Sequence, residues 1–143
     1  MDSYPKRHAI SRARFFLEQA KKCKGDQRDE FEAYLEASIV FSRAALHRLK
    51  SAYEKHPDWK QWWDSLLSNP SVKFFRDARN WILKNASPKI GQIVRLGEPK
   101  ASYASELYYY ENPKTPATLT VEGHLDNLET IVREAESRFK ISA

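Results

Sequence analysis

The 143-residue chain reads as an all-α protein, an antiparallel bundle of about five helices with one long helix and a small candidate β-hairpin between the fourth helix and the last. Three observations predict this. Apolar residues recur at helical spacing through most of the sequence. His56-Pro57, Asn69-Pro70 and Ser87-Pro88 interrupt that pattern at intervals suited to bundle connections. Between 87 and 117 the character changes: four of the seven prolines and two of the four glycines fall there. One domain is expected over 1–143, with 86–117 as an irregular or hairpin insertion.

The first helix is expected from about Pro5 to Lys24, since proline suits a first turn. Ala9, Ile10, Ala13, Phe16, Leu17, Ala20 and Cys23 form its apolar stripe, and Gly25 ends it. The second, from about Asp26 to Lys55, has Asp26 as its candidate cap. Its inward face is Phe31, Tyr34, Leu35, Ser38, Ile39, Ser42, Ala45, Leu46, Leu49 and Tyr53. Serine and alanine make that face shallow at mid-length, so another helix can come close, and the excess length suggests a partner subunit. Asp58 opens a short third helix whose Trp59, Trp62, Trp63, Leu66 and Leu67 share one face, a pattern of core rather than of base stacking. The fourth helix runs over Ser71–Ala86, with Trp81, Phe74, Ala78, Ile82, Phe75 and Ala86 on one arc and Leu83 at its edge. Gln92–Leu96 and Ser105–Glu111 are candidate hairpin strands, and at least one ring of Tyr108-Tyr109-Tyr110 should be exposed. A final helix from about Val121 to Phe139 turns Leu125, Leu128, Ile131, Val132, Ala135 and Phe139 inward.

Composition is that of a soluble globular protein, 41% hydrophobic and 30% charged. No apolar run approaches the ~20 residues of a membrane span. The single cysteine, Cys23, forms no internal disulfide and fits a cytoplasmic location. The net charge of +5 resides in residues 1–24, and the remainder balances to zero. That basic segment lacks the apolar core of a secretory signal; a mitochondrial presequence is the alternative. Arg7, Arg14 and Lys21 repeat every seven residues on one flank of the first helix. They form either a solvated face or a track for nucleic-acid phosphates.

Most catalytic templates lack their parts. There is no Gly-rich phosphate loop, GxSxG, CxxC or HExxH, and no paired-carboxylate pattern for a di-metal site, so no metal or cofactor is expected. Arg43 and His47 share a helical face and could supply a cation and a proton-transfer group, or be ordinary surface residues. Arg79 is the unusual residue. It falls on the flank of the fourth helix's apolar arc, between Phe75 and Leu83, where a guanidinium needs partners. It is either pinned structurally or lines a site.

Phe74-Phe75-Arg76-Asp77-Ala78-Arg79-Asn80-Trp81-Ile82-Leu83-Lys84 resembles the motif helix of HEPN domains, small helical bundles frequent in bacterial defence and toxin–antitoxin systems. That signature is an Arg, often followed by Asn, then four to six residues to a His. The second helix, with Tyr34–Ser38 and Phe41–Ala45, resembles the long helix that packs beside the motif, and the likeness spans about residues 26–90. It implies a homodimer and, in active members, metal-independent RNA cleavage by Arg and His. Here Arg79-Asn80 is present, but Lys84, Asn85 and Ala86 stand where the histidine belongs. Lysine, with an ordinary pKa near 10.4, is a poor proton shuttle. On an ideal helix it also lies about 140° from Arg79.

Three readings follow. The first is a noncatalytic HEPN-like domain that binds RNA or a nucleic-acid-associated partner, with a cognate protein as a further candidate, Arg79 and Asn80 holding phosphates and Arg7, Arg14, Lys21, Arg43 and His47 extending the contact. The second is an endoribonuclease in which Arg79 and Asn80 act with Lys84 or His47. The third is a structural homodimer joined by the long helix, with Arg79 buried against Glu32 or Glu36. None involves a membrane.

Overall fold

Small residues decide how the first two helices meet. Ala9, Ala13 and Ala20 are buried along α1 (Tyr4–Lys22), as are Ser38 and Ser42 in α2 (Arg28–Tyr53). The two helices form an antiparallel hairpin so close that Ser38 Oγ donates to the main-chain carbonyl of Ala13, 2.8 Å away. Ser42 Oγ donates to the Ser38 carbonyl at 2.8 Å. Both hydroxyls are thus satisfied, which is what permits serine in a dry interface. The computed structural model describes residues 4–85, 91–92 and 103–139, with side chains described from His8 onward except at 91–92.

The architecture is the expected all-α bundle. α3 (Trp59–Leu66), α4 (Pro70–Asn85) and α5 (Ala117–Arg138) complete it, α4 packing on α2 and α5, and α5 running antiparallel to α1. α4 starts where the sequence breaks, because Asn69 Oδ1 accepts from the backbone N–H groups of Ser71 (2.9 Å) and Val72 (3.3 Å) while Pro70 takes the first turn. α5 begins a turn earlier than expected, with Leu119 and Thr120 donating to the Pro116 carbonyl at 3.0 and 3.2 Å. Asp26 is not the cap of α2. Gln27 takes that position without a side-chain cap, its amide oxygen instead accepting from Lys24 N at 2.7 Å.

The inward faces of α1, α2 and α5 match the periodicity, with Phe16, Tyr34 and Tyr53 half-buried at the margins. Trp59 and Trp62 are buried, and Phe139 sits edge-on to both with ring centres 5.4 and 5.2 Å away. They are core. Leu67 is 48% exposed because α3 ends one residue before it. On α4 the buried line is Ser71, Phe75, Ala78 and Ile82, while Trp81 is 38% and Leu83 65% exposed. The burial centre is rotated from the expected arc because α2 and α5 grip the Phe75–Ile82 side; Ala86 lies outside the described residues.

The hairpin is reduced to a short ladder. β1 (Gly91–Gln92) pairs antiparallel with β2 (Tyr108–Tyr109), Gly91 opposite Tyr109 and Gln92 opposite Tyr108. The expected second strand is a 3₁₀ turn over Ala104–Leu107 before it extends, and 93–96 fall outside the described residues. Ala104 N donates to the Cys23 carbonyl at 2.9 Å, Tyr108 stacks on Phe31 at 4.8 Å, and its hydroxyl donates to Glu32 at 3.1 Å. Tyr108 is buried and Tyr109 and Tyr110 half-buried, so no ring of the three is fully exposed. No helix among the described residues is long and apolar enough to cross a membrane.

Candidate functional site

Each guanidinium of the site is placed by a helix face whose neighbouring positions are buried. On α4, Ala78 and Ile82 are buried against the bundle, which leaves Arg79 half-buried on the α2 side. On α2, Ser42, Leu46 and Leu49 face inward, so Arg43 and His47 stand one turn apart on the flank next to α4. Arg76 joins them from α4, one turn before Arg79.

The neighbouring cations act on two of these side chains, Arg43 and His47. Burial lowers the pKa of Arg43, and the positive charges of Arg79 and Arg76 lower it further. Burial likewise lowers His47, followed by Arg43, Arg79 and Lys50, which holds its imidazole toward the neutral form. No carboxylate offsets them: among the described residues Arg43, His47 and Arg79 form no ion pair or side-chain hydrogen bond. Arg76 alone has an acid, Asp77 Oδ1 at 3.0 Å. Clustered cations repel, and guanidiniums without an acid gain no compensation beyond water. An anion seated among them would reverse that balance.

Arg79 is not pinned against Glu32 or Glu36. Glu32 accepts the Tyr108 hydroxyl, and Glu36 is raised by burial and then by the Glu32 charge. The reason is axial: those acids stand nearer the N-terminal end of α2, two turns or more before Arg43.

The expected trio separates. Asn80 and Lys84 are exposed and line a groove of about 1400 Å³ between α4, the start of α5 and the 110–115 segment, whereas Arg79 lies outside that groove. Straight helical geometry keeps Lys84 off Arg79's face. The basic row of α1 separates too. Arg14 pairs with Asp126 at 2.9 Å and Glu129 at 2.6 Å, and Lys21 with Glu122 at 2.7 Å and Glu18 at 3.0 Å. For Arg14, burial would lower the pKa, but its bonds to Glu129 and Asp126 leave it raised. Two of the three cations thus join α1 to α5 rather than form an open track; the Arg7 side chain lies outside the described residues.

One arrangement had no signal in the sequence. His124 Nδ1 lies 2.8 Å from Ser71 Oγ, which accepts from Asn127 Nδ2 at 3.0 Å, and the imidazole stacks on Phe74 at 4.3 Å. Burial lowers its pKa, with Glu111 opposing. Ser71 is buried, so this is a packed polar junction between α4 and α5 rather than an accessible nucleophile. Among the described residues no group of three or more His, Cys, Asp or Glu converges to hold a metal. No family model, curated protein or solved structure matches the chain.

Proposed function

We propose that this protein is a noncatalytic HEPN-like domain that binds RNA, with Arg43, Arg79 and Arg76 as the phosphate contacts and Asn80 at the margin. The observation that carries the reading is that Arg43 and His47 lie on the flank of α2 next to α4, where Arg79 and Arg76 act on Arg43, and that among the described residues Arg43, His47 and Arg79 form no ion pair or side-chain hydrogen bond. Phosphate is the anion guanidinium geometry suits best, since its planar fork donates two parallel hydrogen bonds. Purified protein should retain mixed single-stranded RNA at low ionic strength and release it as salt rises. Arg79→Ala and Arg43→Ala should each weaken retention. Absence of salt-sensitive retention would defeat the proposal.

The proposal includes a cytoplasmic homodimer formed through α2. In its support, Ala33, Ala37, Val40 and Ala44 trace an exposed or half-buried line of small side chains on which a second helix can lie. A cognate protein partner in a bacterial defence or toxin–antitoxin setting belongs to the same proposal, supported by the Arg-Asn resemblance.

A second reading, metal-independent RNA cleavage, draws on one observation. His47 is kept toward its neutral, proton-accepting form beside Arg79, so the two could divide the roles of base and phosphorane-stabilising cation. This reading replaces Lys84 with His47. Incubating a labelled RNA pool with wild type, Arg79→Ala and His47→Gln decides between them: the noncatalytic reading expects no products from any.

A further inference from the structure

The groove between α4, the start of α5 and the 110–115 segment is built from three kinds of group. Four rings line it. Phe74 stacks on the His124 imidazole with ring centres 4.3 Å apart, Tyr110 meets Phe74 edge-on at 5.0 Å, and Trp81 is 38% exposed. The α4 wall is a stripe at helical spacing, Lys73, Asp77, Asn80 and Lys84. Its two lysines stand eleven residues, about 16 Å, apart along the axis, and among the described residues neither forms an ion pair. Asp77, between them, is engaged by Arg76 Nε at 3.0 Å. The facing wall offers uncharged polar groups, among them Asn112, with Glu111 as its one acid among the described residues. Of the two His124 nitrogens, Nδ1 is bonded to Ser71 Oγ, which leaves Nε2 for a ligand. At about 1400 Å³ the groove exceeds the ~300–1000 Å³ of a small-molecule pocket, and its lining runs from Pro70 to Lys84, nearly the whole of α4.

Resting on the RNA-binding reading, we infer that this groove receives the unpaired bases of a single RNA strand whose backbone follows the Lys73–Lys84 stripe. Every base has a flat face that stacks on an aromatic side chain, and its edge carries both donors and acceptors. The amides of Asn80 and Asn112 also donate and accept, so they match such an edge whichever base is present. Phosphates belong on the α4 side with the lysines, because Glu111 repels them from the facing wall. A duplex does not suit these groups, since its bases are already paired and stacked. Around α4 the order is Arg79, Arg76, Asn80, so the helix surface passes from the arginine flank to the groove without an apolar break.

The test uses the full-length protein, a short mixed-sequence single strand of RNA, a duplex of the same sequence, and an abasic oligomer with the same ribose-phosphate backbone. By fluorescence anisotropy at low ionic strength, the single strand should bind about tenfold or more tightly than the abasic oligomer, and the duplex should compete weakly. Trp81→Ala should weaken binding of the single strand about tenfold and leave the abasic oligomer unaffected, with circular dichroism unchanged. Asn80 is exposed, so Asn80→Ala keeps the test open should Trp81→Ala not fold; it should lower affinity for the single strand alone. Lys73→Gln and Lys84→Gln should each reduce the slope of log affinity against log salt by about 0.7. Equal affinity for the single strand and the abasic oligomer, still weakened by Arg79→Ala, would overturn the groove inference and leave the RNA reading intact. Base-dependent binding untouched by both Trp81→Ala and Asn80→Ala would overturn it as well. No binding of any oligomer would overturn both.

Discussion

The Ser71 hydroxyl sits between two side chains of α5, accepting from Asn127 Nδ2 and 2.8 Å from Nδ1 of His124. Ser71 Oγ can donate to an unprotonated His124 Nδ1 or accept from a protonated one, and burial, the main influence on this imidazole, favours the neutral ring. The α4–α5 junction is therefore built for a neutral histidine. Burial pushes His124 below its ordinary pKa, and Glu111, the charged group that acts on it, only partly opposes this.

Acid should loosen the protein as a result. A histidine with a depressed folded pKa binds fewer protons folded than unfolded, so its contribution is complete above the unfolded value near 6.5 and is lost as pH falls toward the folded value. His47, depressed by burial and by Arg43, Arg79 and Lys50, acts in the same direction. Urea midpoints should fall between pH 7.5 and pH 5. In His124→Gln the fall should be shallower. A profile for His124→Gln parallel to wild type would show that this junction is not its source.

Two arginines should respond oppositely to removal. Arg14→Met removes the partner of Asp126 and one of the two partners of Glu129, which keeps Arg133 at 3.0 Å, and because the pairs are partly solvated the cost should be roughly 1 kcal/mol. Arg79→Met strands no acid and relieves repulsion on Arg43, so stability should hold within about 0.5 kcal/mol or rise. Chemical denaturation of the two variants checks this. Loss of several kcal/mol in Arg79→Met would restore a structural role for that residue.

Tyr110 offers a stabilising change. Its ring packs edge-on against Phe74 at 5.0 Å, but its hydroxyl oxygen is buried without a hydrogen-bond partner, and burial raises its pKa. Tyr110→Phe keeps the packing and removes the unsatisfied group, which should raise stability by about 1 kcal/mol. Calorimetry should show this as an increase in melting temperature of about 3 °C. A lower melting temperature would mean that the hydroxyl has a partner in solution.

The proposed dimer is open to direct measurement. Light scattering on the wild type should return twice the 16.7 kDa chain mass. Ala37→Arg and Ala44→Arg, which place long cations on the small-residue line of α2, should each return the single-chain mass with helical content retained. A monomeric wild type would remove the homodimer from the proposed function.

Much of this fold can be read residue by residue in the sequence, because the period of a helix is local. The inward faces of α1 and α5 and the tryptophans of α3 follow from spacing alone. What spacing does not carry is which neighbour covers a face. Trp81 and Leu83 satisfy the α4 pattern yet remain exposed, because α2 and α5 press on the Phe75–Ile82 side. The α1 cations gave a misleading signal for the same reason, although a correcting one was present. Glu122 and Glu129 repeat at seven residues on α5, as do Arg14 and Lys21 on α1, and that match is the signature of a paired seam. For the site, Arg79, Arg43 and His47 were each identifiable as candidates. Their meeting, and the separation of Asn80 and Lys84, depends on how α4 is rotated against α2.

Three of the four tryptophans, Trp59, Trp62 and Trp63, form one group of touching rings in α3, and Trp59 and Trp62 close around Phe139, immediately after the last residue of α5. The intrinsic emission of the protein is therefore weighted toward a single event, the seating of that phenylalanine. A red shift on denaturation reports undocking of the end of α5, whereas the remaining indole, Trp81, lines the groove between α4 and α5, about 200° around the helix from Arg79, and reports on that groove instead.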